Sequence, residues 1–163
     1  MNKNGPIIII EDDPDDQELF DDIFKELKYP NQVIYFFDGV TALDFLVSSR
    51  DQPFLILSDI NLPKLNGVKL REKIHNNEQL RLKCIPYLFF TTSADQGSVI
   101  DAYSQSIQGF FTKPSSYREL LRITKNIIDY WKDCHSPNIT TWLFLWGWGN
   151  GKKKGRMEIR PGF

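Results

Sequence analysis

Polar residues of three chemical kinds follow short apolar runs at separate points along the chain. Glu11 and Asp12 follow IIII, Asp59 follows FLILS, Thr91 follows YLFF, and Lys113 follows GFFT. If the three carboxylates met, each would raise the pKa of its neighbours unless a positive charge intervened. Mg²⁺ meets that need, because it binds a few carboxylates and keeps waters for a phosphate-bearing substrate. With a lysine and a hydroxyl beside them, these residues have the composition of a phosphoryl-transfer site with a carboxylate nucleophile.

Five short apolar runs must carry these residues. They are rich in β-branched or aromatic side chains, so we predict strands buried on both faces, at 7–10, 33–37, 54–57, 87–90 and 109–111. Helical spacing of apolar residues fills the gaps, at about 14–27, 40–48, 68–76, 96–106 and 116–134. This alternation predicts an α/β fold, a doubly wound five-stranded parallel sheet with helices on both faces. The carboxyl ends of its strands share one edge, where such folds build their sites.

The first predicted helix has its own start signal. Asp13 can cap it with Pro14 at the first helical position, and Asp15 and Asp16 then face the positive end of the helix dipole. We therefore interpret Asp13 as a cap, and Asp15 and Asp16 as dipole partners and not as ligands.

Four motifs, in order and spacing, resemble the receiver domain of two-component response regulators. They are IIIIEDDPDD, LSDINLPKLNG, FFTTSA and FFTKP, and the resemblance covers roughly residues 4–134. It implies a flavodoxin-like sheet with strand order 2-1-3-4-5. The TTS triplet and the segment LRLKCIP before the fourth strand are similar to stand-alone regulators partnered with bacterial phytochromes.

The resemblance assigns roles to the acidic residues. Asp59 would be the phosphoacceptor, phosphorylated by a sensor histidine kinase or a phosphotransfer protein. Glu11, Asp12 and Asp59 would hold Mg²⁺, with the backbone carbonyl of Asn61 as a further ligand.

Three further residues receive roles by the same resemblance. Lys113 would bind a phosphoryl oxygen, and Thr91 would close onto the phosphate while Phe110 swings inward. In the family the bond before the proline of the Lys-Pro pair is cis, so we expect a cis bond between Lys113 and Pro114. Thr92 departs from the family, which generally has a small residue there, and its branched side chain could restrict access to the phosphoryl group.

The implied protein is a single-domain signalling module that assists its own phosphorylation and dephosphorylation but is not an enzyme for an external substrate. It would signal to an unknown downstream protein through altered protein contacts. The formal net charge of −1 and the lack of a basic recognition helix argue against a nucleic-acid partner. No apolar run approaches the ~20 residues that a membrane helix needs, so we expect no membrane partner and a cytoplasmic location.

Several alternatives stay open. Taken singly, each polar residue could be a turn, cap or solvated side chain. An aspartyl-phosphate hydrolase would need a second acid two residues past the nucleophile, where this chain has Asn61. A flavin-binding protein would need amide-rich phosphate loops in place of the acidic first loop. A degenerate receiver acting as a scaffold would not need the complete set of edge residues.

The composition changes after the predicted receiver domain, residues 1–135. In the extension, residues 136–163, aromatic residues alternate from 142 to 148 before Asn150 and Gly151. This pattern predicts a β-hairpin with a return strand near 157–160, and the rival interpretation is a disordered segment foreign to the natural chain. A homodimer could form through this extension or through the helix at 116–134. The main apolar stripe of that helix consists of Leu120, Ile123, Ile127 and Tyr130. Beside it lie Tyr117, Leu121, Ile128 and Trp131. The same face could instead be a docking surface for the kinase, or simply a broad face buried on the sheet.

Overall fold

A computed structural model describes residues 2–92, 96–104 and 106–135. Strands and helices alternate as the sequence predicts, with one additional short helix. The strands are β1 Ile7–Ile10, β2 Val33–Phe36, β3 Leu55–Ser58, β4 Tyr87–Thr91 and β5 Gly109–Thr112. The helices are α1 Pro14–Leu27, α2 Gly39–Ser48, α3 Gly67–Asn76, α4 Glu78–Leu82, α5 Gln96–Ser104 and α6 Tyr117–Asp133.

The five strands form one parallel sheet in the order β2-β1-β3-β4-β5, which confirms the predicted topology. Register at the centre of the sheet decides what meets at its edge. Ile10 pairs with Phe36 on one side and with Ser58 on the other. The residues that follow β1 and β3, Glu11 and Asp59, therefore leave the sheet side by side.

Each strand sends its side chains alternately to two apolar layers. Ile8 and Ile10 join the layer under α2, α3, α4 and α5, whereas Ile7 and Ile9 join the layer under α1 and α6. All four isoleucines are almost completely buried. This two-sided burial explains why β1 is a continuous apolar run without polar alternation.

Most of the broad apolar face of α6 is buried on the sheet. Ile128 belongs to the apolar layer under α1 and α6, and Leu121 and Trp131 pack against that layer. Tyr117 and Tyr130 remain 41% and 64% exposed. Burial on the sheet therefore accounts for Leu121, Ile128 and Trp131, and Tyr117 is the exposed residue among the four that lie beside the main stripe.

The structure differs from the prediction mainly at element ends. Asn77 caps the additional helix α4 by accepting from the Leu80 N–H at 3.1 Å. Helix α5 ends at Ser104, and Ser106 has a left-handed φ of 58° that cannot continue it. The predicted extension at 136–163 lies outside the described residues. Within the described ranges, no helix is both long and apolar enough to span a membrane.

Candidate functional site

Glu11, Asp12 and Asp59 meet at the carboxyl edge of the sheet. The N–H of Glu11 donates to the Phe36 carbonyl and the N–H of Asp59 to the Ile10 carbonyl, both at 2.9 Å. Strand pairing thus continues one residue beyond β1 and β3. Carboxylate oxygens from the three side chains lie within 4.8 Å of one another. Because Glu11 and Asp59 are buried and Asp12 is exposed, the cluster opens to solvent on one side.

The loop after β3 fixes one oxygen of Asp59. Oδ1 accepts from the N–H groups of Ile60 at 2.5 Å and Asn61 at 3.1 Å, as in an Asx turn. Oδ2 lies 3.1 Å from the Nζ atom of Lys113. One oxygen of the predicted nucleophile is therefore held by backbone amides, and the other lies beside an ammonium group.

Gly67 allows this loop to return close to Asp59. Its N–H donates to the Ile60 carbonyl at 2.9 Å, and Asn66 caps α3 by accepting from the Lys69 N–H at 2.9 Å. A Cβ at position 67 would lie 2.2 Å from the Asp59 carbonyl oxygen, well inside van der Waals contact. A larger residue would push the loop away from the carboxylate cluster.

Lys113 reaches into the site from the end of β5. Its backbone N–H donates to the Thr91 carbonyl at 2.8 Å, which places the residue next to the end of β4. The ammonium group contacts the carboxylates of Glu11, of Asp16 at 2.7 Å and of Asp59 at 3.1 Å. The Lys113 side chain is only 8% exposed, so solvent screens these ion pairs weakly.

The peptide bond between Lys113 and Pro114 is trans, so the prediction of a cis bond is wrong. A bond before proline favours the trans form by about 0.5–1 kcal/mol unless tertiary contacts reverse the preference. Here Lys113 reaches its three carboxylates with the trans bond, so a cis bond is not needed to aim the side chain.

Burial and charge act in opposite directions on the site. Burial raises the pKa of Glu11 to about 7, because the hydrogen bond and charge of Lys113 oppose the shift only in part and Asp59 adds to it. For Lys113, burial favours the neutral amine, but hydrogen bonds to Asp16 and Glu11 outweigh it and raise the pKa. Glu11 is therefore partly protonated near neutral pH, while Lys113 stays charged.

The remaining predicted residues occupy three different positions. Asn61 lies in the loop after β3, where its N–H faces Asp59. Thr91 is the buried last residue of β4 and pairs with Thr112 of β5. Phe110 lies within β5, half-buried, with its ring 6.2 Å from that of Phe89 in an edge-to-face arrangement. It thus packs against the apolar layer, and the carboxylate cluster is built from other residues.

Asp16 is the site contact that the sequence analysis missed. The capped start of α1 is confirmed, since Asp13 accepts from the Asp15 N–H at 2.9 Å and Pro14 is the first helical residue. Asp16, however, also binds Lys113. An acidic residue in a first helical turn has the same sequence pattern whether it faces the dipole or a distant lysine, so no local signal could identify this contact.

Comparison with known proteins identifies the family. The sequence model of the response regulator receiver domain matches residues 7–125. The chain therefore belongs to the response regulator receiver domain family, as its four motifs predict.

Two relatives and two solved structures define the similarity further. The chain is 31% identical over 129 residues to the probable methanogenesis regulatory protein FilR2 of Methanothrix harundinacea, covering 77% of this chain and 82% of that protein. It is 30% identical over 130 residues to the response regulator Rcp1 of Synechocystis, covering 77% and 87%. The structure of phosphorylated RcpA, a cyanobacterial phytochrome response regulator, superposes with a TM-score of 0.73 at 26% identity, covering 82% and 97%. The Mn²⁺-bound form of Rcp1 gives 0.70 at 29% identity, covering 81% and 97%. The predicted similarity to phytochrome-associated regulators is thus confirmed.

Proposed function

We propose that Asp59 of this response regulator accepts a phosphoryl group from a sensor histidine kinase or a phosphotransfer protein. The observation that carries the proposal is the meeting of Asp59 Oδ2, the Lys113 ammonium and a carboxylate cluster at one edge of the sheet. The fold brings these groups together from β1, β3 and β5. A turn or cap residue would not need a buried lysine and two further carboxylates around it.

The cluster fits a hard divalent cation, because its donors are carboxylate oxygens and one side is open to solvent. Glu11, Asp12 and Asp59 would hold Mg²⁺, together with the backbone carbonyl of Asn61. Bound there, Mg²⁺ would offset the charge on the phosphoryl oxygens during transfer. The Mn²⁺-bound form of Rcp1 supports this choice of ion class.

The proposed transfer is an in-line displacement at phosphorus. Asp59 Oδ2 forms a new P–O bond while the P–N bond of phosphohistidine breaks, and the leaving imidazole keeps the electron pair and takes up a proton. With acetyl phosphate, a P–O bond breaks and acetate leaves. Lys113, whose Nζ atom lies 3.1 Å from Oδ2, would donate to the transferred oxygens. Attack of water on the same phosphorus then returns the carboxylate and inorganic phosphate, so the domain acts on itself and on no external substrate.

Signalling would follow from Thr91 and Phe110. Thr91 would close onto the phosphoryl group, and Phe110 would move further into the apolar layer that it already contacts through Phe89. Because Phe110 belongs to the edge strand β5, its movement would alter the surface formed by α5, β5 and α6. A downstream protein would read that surface.

Self-association through α6 is one such readout. Tyr117 and Tyr130 are the exposed aromatic residues of this helix among those that the structure describes. Sedimentation with and without the phosphate mimic beryllofluoride tests it, since a monomer under both conditions would contradict a phosphorylation-dependent dimer.

The direct test is to incubate the protein with Mg²⁺ and acetyl phosphate and to measure its mass. We expect a gain of one phosphoryl group that hydroxylamine removes, and no gain for Asp59→Asn. Asp44→Asn is the matched control, because Asp44 is an exposed carboxylate on α2, and it should label like the wild type. Labelling of Asp59→Asn to the wild-type level would contradict the proposal.

A further inference from the structure

Lys113 uses its full hydrogen-bonding capacity within the site. An ammonium group has three N–H donors, and Lys113 contacts three carboxylates, those of Glu11, Asp16 and Asp59. The contact with Asp16, at 2.7 Å, joins the start of α1 to the end of β5. Asp13 and Pro14 fix the start of that helix, so Asp16 lies in the first turn of a capped helix.

These three carboxylates differ in what a bound cation would do to them. Glu11 and Asp59 belong to the cluster with Asp12 whose oxygens could hold a metal, and Asp16 does not. A divalent cation at that cluster would compete with Lys113 for Glu11 and Asp59 and would repel the ammonium group. Asp16, with its side chain 31% exposed, lies outside that cluster and would therefore keep its contact with the lysine.

We propose that Asp16 is a positioning residue. It holds the Lys113 ammonium at the edge of the site when the carboxylate cluster binds a divalent cation. The inference rests on the proposed function, because it assigns Lys113 to the transferred phosphoryl oxygens. The donor that now faces Asp59 Oδ2 would pass to an oxygen of the phosphoryl group whose phosphorus is bonded to Oδ2. The donor held by Asp16 would stay in place, so the long lysine side chain would not have to be ordered again during transfer.

Asp15 is the matched control for Asp16. It lies one residue earlier in the same helical turn, it carries the same charge near the same helix end, and its side chain is exposed. Any effect of helix-dipole or overall charge should therefore appear in both Asp15→Asn and Asp16→Asn, whereas an effect through Lys113 should appear in Asp16→Asn only.

The test measures the rate of Asp59 labelling by acetyl phosphate at saturating Mg²⁺. We expect Asp16→Asn to slow labelling about tenfold, the worth of one charge-assisted hydrogen bond, and Asp15→Asn to change it by less than about twofold. Asp16→Glu should recover most of the rate. In a Lys113→Ala background, Asp16→Asn should have no further effect on the labelling rate. The Mg²⁺ affinity of Asp16→Asn, measured by calorimetry, should stay within about threefold of that of the wild type.

A second readout uses the metal-free protein. Urea unfolding in EDTA compares the wild type, Asp16→Asn, Lys113→Ala and the double variant. The losses in free energy of unfolding should be non-additive, because Asp16 and Lys113 stabilise the fold through their mutual contact. Asp16→Ser is a second neutral variant in case Asp16→Asn folds poorly. Labelling at the wild-type rate or faster, an equal loss in Asp15→Asn, or additive effects with Lys113→Ala would overturn the inference. Failure of the wild type to label at all would instead refute the proposed function.

Discussion

Replacing Glu11 by Gln should make the protein increasingly more stable than the wild type as pH rises. Glu11 is buried, and its pKa rises from the ordinary 4.5 to about 7 in the folded, metal-free protein. The folded state therefore binds more protons than the unfolded state between these two values. Its stability should fall as pH rises through this window, because the charged carboxylate is favoured only after unfolding.

The size of the effect follows from the two pKa values. Each pH unit between them costs the folded state about 1.4 kcal/mol, so Glu11 should remove about 3 kcal/mol of stability between pH 4.5 and pH 8. Gln has nearly the same shape and does not titrate. The two proteins should be similarly stable at pH 4.5, and Glu11→Gln should be more stable by about 3 kcal/mol at pH 8.

Urea unfolding followed by circular dichroism, in EDTA at half-unit steps from pH 4.5 to pH 8, measures this difference. Asp44→Asn is the control for removal of a carboxylate, since Asp44 is exposed on α2. Added Mg²⁺ should stabilise the wild type at pH 8 more than it stabilises Glu11→Gln, because the variant lacks one proposed ligand. A difference between Glu11→Gln and wild type that stays constant from pH 4.5 to pH 8 would refute the reasoning.

Three further predictions concern residues that support the site. Gly67→Ala should destabilise the protein by about 2 kcal/mol and slow labelling of Asp59, because a Cβ at 67 would meet the Asp59 carbonyl oxygen. Gly97→Ala, in the exposed first turn of α5, is the control and should be neutral or stabilising by urea unfolding. Thr91→Ala should label but lose the shift of Phe110 resonances on addition of beryllofluoride and Mg²⁺, and Thr91→Ser should keep it; an unchanged shift in Thr91→Ala would exclude the switch role. Asp13→Ala should lower the free energy of unfolding by about 1 kcal/mol through loss of the α1 cap, and an equal stability of the two proteins would show that the cap contributes nothing.

The sheet and its acidic edge are predictable because they depend on short-range pattern. An uninterrupted apolar run such as Ile7–Ile10 predicts a strand buried on both faces, and the polar residue after it must then lie at the carboxyl edge. Parallel pairing in register brings Glu11 beside Asp59, which is why two residues far apart in sequence could be assigned to one site.

Other features depend on tertiary contacts that leave no local trace. The helix Glu78–Leu82 has five residues, too few for a helical period to be recognised, and it depends on the cap at Asn77. The pairing of Asp16 with Lys113 joins residues on two different elements, and the first-turn position of Asp16 offered a sufficient local explanation. The trans bond before Pro114 shows that a family feature carried over by resemblance alone can fail where the side chain reaches its partners without it.

The central claim is that Asp59 receives the phosphoryl group in a reaction that needs a divalent cation. The most direct measurement treats the protein with acetyl phosphate in Mg²⁺ or in EDTA, reduces it with borohydride, and sequences its peptides by mass spectrometry. Reduction converts an aspartyl phosphate to homoserine. We predict homoserine at position 59 in the Mg²⁺ sample only, and homoserine at another aspartate, or equal conversion in EDTA, would contradict the account.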